Sequence, residues 1–351
     1  MSSQRLSFRW PEVRAGGPGD GLAPLAERLG EAAHDRAATA EALVYEAAGF
    51  LREALEQEPG RLAEREVGPR LERDLAPWIA AHGWRGPCAL FVDSLRAALH
   101  AAPESGTRAA LGRELEAWVP GGGRLADRPA VAPAAIATLA RGETVLVHGY
   151  SETVALALEG ARRAGREPTA LLSESAAELG GQRMARRLAL AGVDVRLGYD
   201  AAVLGAVREV DRVWIGVEAI GAGAFVARVG TLHLLEEARR CEVPSAALTT
   251  SDKLVPAGRI DLPAWGDEEH WSLWPDPPAG VRLESQAFER VPIELCGAWL
   301  TEVGRERIAD LCVRALRLRQ EAPCLRQEAA RPAGAPHAPA PARASEATDA
   351  T

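Results

Sequence analysis

The residues GETVLVHGYSETVALALEGARRAG (142–165) and EVPSAALTTSDKLVP (242–256) bracket the stretch whose pattern decides the fold. Within it, Thr144–Val147, Ala170–Leu172, Val193–Leu197, Arg212–Ile215 and Ser245–Leu248 are short apolar runs, of the kind that form strands buried on both faces of a parallel sheet. Between them, Thr153–Ala164, Leu179–Ala191, Ala201–Val207 and Thr231–Arg240 are helical in pattern. Regular strand–helix alternation predicts an α/β domain with a Rossmann-like, doubly wound, mainly parallel sheet and right-handed crossovers. Small and polar residues gather where each strand hands over to its helix, and that carboxyl edge is where such sheets bind ligands.

Upstream of this stretch the period is helical. Leu22, Leu25 and Leu29, then Ala40, Leu43, Val44, Ala47, Leu51 and Leu55, recur at helical spacing, and further helical runs cover Arg61–His82, Ala89–Ala102 and Thr107–Trp118. Residues 21–122 are therefore expected to form a helical N-terminal domain of four to six helices, punctuated by Gly60, Gly68, Gly83, Pro87 and Pro103 and ending at the Gly-rich break 120–124. Trp78, Trp84 and Trp118, set among Leu and Ala, are expected in the core or at an interface rather than as stacking platforms. Residues 1–20 read as a loose arm and 123–320 as the Rossmann-like domain, with a short helix at Pro133–Arg141 leading into the first strand. After Lys253 come an irregular segment bearing Trp265, Trp271 and Trp274, a strand-like piece at Val281–Leu283 and a helical run from Pro292 to about Arg317. Residues 321–351 are Pro/Ala-rich, with too little apolar content to offset the entropy of ordering them.

Composition narrows the function classes. The 351 residues are 47% hydrophobic and 26% charged, as in folded soluble proteins, and the net charge of −8 is the wrong sign for gripping a phosphate backbone. No direct nucleic-acid binding is expected. No apolar run has the length of a membrane span or the form of a signal peptide, so a cytoplasmic location is expected. The five cysteines, Cys88, Cys241, Cys296, Cys312 and Cys324, include no CxxC pair, and neither a metal nor a cofactor is implied.

The chemistry-bearing residues lie at the strand ends. In His148-Gly149-Tyr150-Ser151-Glu152-Thr153, Gly149 lets backbone approach a ligand, Ser151 can cap the following helix, and the helix N-terminus favours an anion. The bland alternative is a turn glycine and a capping serine. His148 is open to two readings, a general base or a hydrogen-bonded core residue. Glu174 follows the second strand and Glu218 the fourth. Arg228 and Thr231 stand at the next helix start, and Lys253 follows the fifth strand. Together they would give one cleft with carboxylates, two cations and hydroxyls.

These same residues carry a family resemblance. LVHGYSETV (146–154), LLSESAAELGGQRMARRLALAGVDV (171–195), REVDRVWIGVEAIGAGAFVARVGTLHL (208–234) and VPSAALTTSDKLVP (243–256) are similar in order and spacing to the alpha, beta and delta subunits of eukaryotic translation initiation factor 2B. That family also holds the methylthioribose-1-phosphate and ribose-1,5-bisphosphate isomerases. SQAFERVPIELCGAWLTEVG (285–304) resembles its closing motif, N-P-x-F-[DE]-x-[TV]-P-x-E-L-I-x-x-x-I-T-E-x-G.

Departures from the pattern bear on activity. The isomerases carry a Cys in H-C-N-x-G and an Asp in G-A-D, which the resemblance aligns with Gly149 and Glu218. Their E-S-R-P becomes Glu174-Ser175-Ala176-Ala177, without the Arg that meets a phosphate; Arg228 and Lys253 match family lysines. The motifs are nearest to the noncatalytic alpha-type subunits. The resemblance thus implies a regulatory protein that binds a phosphosugar or nucleotide through Gly149, Tyr150, Ser151, Thr153, Glu174, Arg228, Thr231 and Lys253. One alternative is a sugar-phosphate isomerase with Glu218 as its base, and another is a scaffold subunit with a vestigial cleft. It further implies a homodimer or homo-oligomer, with a translation factor as a partner to consider.

Overall fold

The computed structural model describes residues 25–321 apart from 36–37, 58–63, 104–105, 126–127, 177–178, 256–273, 275 and 284–285. The expectations for the arm at 1–20, the tail beyond 321, Trp265 and Trp271 lie outside the described residues.

Five helices form the N-terminal half: α1 Leu25–Ala33, α2 Ala40–Gln57, α3 Glu64–His82, α4 Gly86–Ala101 and α5 Thr107–Ala117. Their apolar stripes close on one core that includes Leu43, Ala47, Leu51, Leu75, Phe91, Leu111, Trp78 and Trp118. Gly68 does not punctuate: α3 runs through it and through Pro69 and Pro77. Its stripe of buried Val67, Leu71, Leu75 and Trp78 shows tertiary burial outweighing local helix-breaking preference.

The second half holds α6 Ala132–Ala137, β1 Thr144–Val147, α7 Glu152–Arg163, β2 Thr169–Ser173, α8 Gly180–Leu190, β3 Asp194–Gly198, α9 Asp200–Gly205 and β4 Arg212–Ile215. It continues with β5 Ala219–Ile220, β6 Ala224–Arg228, α10 Thr231–Arg240, β7 Ser245–Leu248, β8 Phe288–Pro292, β9 Trp299–Thr301, β10 Gly304–Glu306 and α11 Ile308–Glu321. The main sheet runs β10-β9-β7-β4-β1-β2-β3, parallel except for β10, which makes it the expected Rossmann-like architecture. Side chains alternate across it. Leu146, Val213 and Ile215 join the core beneath α10, while Val145, Val147 and Trp214 join the one beneath α7 and α8.

Two C-terminal expectations are corrected. Val281–Leu283 is not a strand; the strand lies at β8, pairing antiparallel with β6 in a second sheet, β5-β6-β8. The run from Pro292 is not one helix, because β9 and β10 precede α11. Trp299 is fully buried against Phe225, and Gly304, at φ +109, opens β10 just past the turn.

Candidate functional site

Chain order reverses between β1 and β4, the topological switch point where open α/β sheets leave a crevice. The β1–α7 turn supplies His148, Tyr150, Ser151 and Thr153; the residues after β4 supply Gly216 and Glu218. Arg228 ends β6, and Lys253 closes the short 3-10 turn Ser251–Lys253 after β7. The opposite wall belongs to the helical half, which sends Thr39 and Glu41 into the cleft, and Arg128 completes the lining. The remaining space is about 30 Å3, room for water but far below the roughly 300 Å3 or more of a small-molecule pocket.

Buried charge fills the seam between the halves. The Glu41 carboxylate pairs with the Arg128 guanidinium and lies 3.3 Å from Lys253 Nζ. Arg128 also reaches Asp252 Oδ2 at 3.2 Å, and Lys253 Nζ stands 4.0 Å from Glu218 Oε2. Burial alone would push the Glu41 carboxyl up; Lys253 and Arg128 overcome it and hold that group well below the usual carboxylate range. Burial likewise pulls Lys253 down, but Glu41 and Glu218 hold it above its ordinary value. Glu218 Oε2 is buried and finds no hydrogen-bond donor among the described residues. Gly86 secures the seam from the helical side. Its N–H donates to the Glu218 carbonyl at 2.8 Å, and a Cβ there would lie 2.5 Å from Lys253 Cα. Trp84, Ala89, Ala219, Val226, Val255, Ala287 and Phe288 form a small apolar patch alongside.

His148 proves structural. A carbonyl oxygen can only accept, so the 2.6 Å contact with Val229 O places the proton on Nε2, and Nδ1 then accepts from Ser173 Oγ at 2.6 Å. Burial pulls its pKa below the ordinary value, keeping the ring neutral. Gly149 has φ +78, and a Cβ there would come 2.8 Å from Arg228 Cγ. The stem of Arg228 therefore occupies the space into which a cysteine at position 149 would project. The Arg228 guanidinium carbon sits 4.1 Å above the Phe288 ring centroid. Cys88 offers no substitute thiol: it is fully buried, Sγ contacts Ala40 O at 3.7 Å, and burial pushes its pKa up.

The remaining sequence candidates divide. Ser151 caps α7, accepting from Val154 N at 3.4 Å, and the Tyr150 hydroxyl donates to Glu152, which pairs with Arg187. Glu174 and Thr231 are not among the cleft-lining residues. The Glu174 backbone closes the β2–α8 turn, and Thr231 Oγ1 donates to Arg228 O at 2.6 Å. Two further backbone positions suited to an anion hold carboxylates of the chain itself. Asp200 accepts from Ser175 N at 2.7 Å and Ala176 N at 2.9 Å, and Glu289 accepts from Leu232 N at the start of α10. Sequence reasoning missed Glu41 and Arg128. Glu41 sits within an ordinary amphipathic helix, and only the fold brings it to Lys253; the one available hint was a carboxylate on α2 next to the buried Ala40.

Among the described residues, no helix is long and apolar enough to cross a membrane. Comparison with known proteins places this geometry. The chain is 28% identical over 167 residues to ribose 1,5-bisphosphate isomerase of Methanocaldococcus jannaschii, covering 46% of this chain and 54% of that protein. It is 31% identical over 125 residues to translation initiation factor eIF2B subunit alpha of Dictyostelium discoideum, covering 34% and 39%. The matched stretch thus spans about half the length of these relatives or less. In fold, the chain matches the Pyrococcus horikoshii OT3 translation initiation factor eIF-2B with a TM-score of 0.67 at 18% identity, over 81% of this chain and 97% of that one. The model of the Initiation factor 2 subunit family matches residues 122–306, more than half of the sequence, and the chain belongs to that family.

Proposed function

We propose that this chain is a noncatalytic, regulatory member of its family that binds a phosphorylated sugar or a nucleotide in the switch-point cleft. The observation that carries this reading is the pairing of Gly149 with Arg228: the place where an isomerase of the family would present its thiol is filled by the stem of a cation. Arg228 and Lys253 supply positive charge, the helix N-terminus capped by Ser151 favours an anion, and Tyr150 and Thr153 complete the lining. A homo-oligomer and a translation-factor partner belong to the same proposal by family membership.

The test pairs turnover with binding. Purified protein should convert neither ribose 1,5-bisphosphate nor methylthioribose 1-phosphate, yet one phosphosugar or nucleotide should raise its melting temperature. Binding at 100 times the dissociation constant adds about 2.7 kcal/mol to apparent stability. Arg228→Ala combined with Lys253→Ala should remove that effect.

One observation favours an isomerase instead. Among the described residues, Glu218 Oε2 is buried in the cleft without a hydrogen-bond donor and 4.0 Å from Lys253 Nζ, an arrangement suited to a proton-transferring carboxylate. Turnover that Glu218→Gln abolishes would establish that reading and sink the noncatalytic one.

A further inference from the structure

The cleft has little free space, and part of its lining comes from the other half of the molecule. About 30 Å3 of free space cannot hold a phosphosugar, so some part of the lining must leave before a ligand enters. Most of the lining is anchored in the sheet. Ser151 caps α7, and a Cβ on Gly216 would lie 2.5 Å from the Ser151 side chain, so these two turns are packed against each other. Glu41 differs, because it is carried by α2, whose buried residues Leu43, Val44, Ala47 and Leu51 belong to a separate core.

Charge adds a second constraint. Glu41, Asp252 and Glu218 surround Arg128 and Lys253, three carboxylates about two cations. Arg228 also lines the cleft and brings the charges to balance, so a phosphate dianion brought to Lys253 while Glu41 stays would leave two uncompensated negative charges in a poorly screened site. Withdrawal of Glu41 relieves one of those charges. The phosphate and the carboxylate therefore exclude one another.

We propose that Glu41 is a built-in competitor for the cleft: it holds on Lys253 and Arg128 the place that a ligand phosphate takes, so binding withdraws Glu41 together with α2. The inference rests on the ligand-binding reading above and adds the regulation of that site. It also defines what the cleft admits. A ligand must bring an anionic group to replace the carboxylate, which excludes the free sugar.

The experiment is calorimetric titration of the full-length protein and of Glu41→Gln with ribose 5-phosphate, inorganic phosphate and ribose. Glu41→Gln should bind the two phosphate compounds at least about tenfold more tightly than the unaltered chain, equivalent to about 1.4 kcal/mol, and neither protein should bind ribose. Glu41→Asp keeps the charge on a shorter stem and should fall between them; it also serves if the glutamine variant does not fold. In chloride buffer Glu41→Gln should melt below the unaltered chain, and phosphate at matched ionic strength should close that gap. Affinity in Glu41→Gln equal to or weaker than in the unaltered chain overturns the competitor role and leaves the ligand-binding reading standing. Binding of the phosphate compounds to none of the three proteins overturns the competitor role together with the phosphosugar form of the ligand-binding reading.

Discussion

Behind the strands, the sheet is closed by apolar burial: Leu146, Val213, Ile215 and Phe225 on one face, Val145, Val147 and Trp214 on the other. In front of the same strands, the seam to the helical half is closed by Glu41, Arg128, Asp252 and Lys253, with only the small patch around Trp84 and Phe288 beside them. Apolar packing contains no titrating group and offers no site to an anion. A buried ion cluster is sensitive to both, because each charge is tolerated only while its partner is present. The difference separates a closure made by apolar burial from one made by paired charge.

Four measurements can break or sharpen that contrast. Phe225→Ala in the sheet core should cost about 3–5 kcal/mol in denaturant unfolding, with no dependence on phosphate. A phosphate-dependent loss there would mean that core and seam are not separate. Lys253→Met should cost about 3 kcal/mol near neutral pH, since it takes from the Glu41 and Glu218 carboxylates the cation they share. Its deficit should shrink in acid. The folded Glu41 pKa lies below its unfolded value, so the contribution of this carboxylate is complete above about pH 4.3 and is lost as pH falls further. A deficit that stays constant down to pH 3 would remove Glu41 from the account.

His148→Ala should cost about 2 kcal/mol by leaving the Ser173 hydroxyl and the Val229 carbonyl without their partner. In the unaltered chain this histidine titrates with the opposite history to a salt-bridged one. Burial depresses its folded pKa, so its contribution is intact above about pH 6.5 and declines below it. Equal unfolding free energy for the alanine variant and the parent at pH 7.5 would show that the ring holds nothing together. The smallest effect belongs to Ser151→Ala, about 1 kcal/mol for a lost helix cap. If it also weakens phosphate binding, Ser151 touches the ligand as well as the helix.

The sheet was legible because its signal is local. The expected bounds of β1, β4, β7 and α10 match the structure residue for residue, each being an apolar run or helical stripe that needs no distant partner to be recognised. The second sheet was not. β5 has two residues, and its neighbour β6 pairs with β8, whose residues lie about sixty positions further along the chain. β9 and β10 were hidden in a segment whose Leu, Val and Trp spacing imitates a helix until Gly304 turns the chain. The cleft divides in the same way. Ser151, Glu218, Arg228 and Lys253 follow recognisable strands, whereas Glu41 enters through a contact with Lys253, 212 residues away, and Arg128 through one with Asp252, 124 residues away, which no local pattern announces.

Gly86 gives the seam a mechanical property of its own. The first residue of α4 rests directly on the main chain of Lys253 and donates its N–H to the Glu218 carbonyl. The two halves thus touch here backbone to backbone, at a contact that does not depend on which side chains are charged. In the proposed withdrawal of Glu41, this contact would serve as the fulcrum and Glu41 would lie at the end of the lever arm. A single methyl group at Gly86, 2.5 Å from Lys253 Cα, would be a wedge at the pivot, propping the jaws apart without altering any of the charged residues that close them.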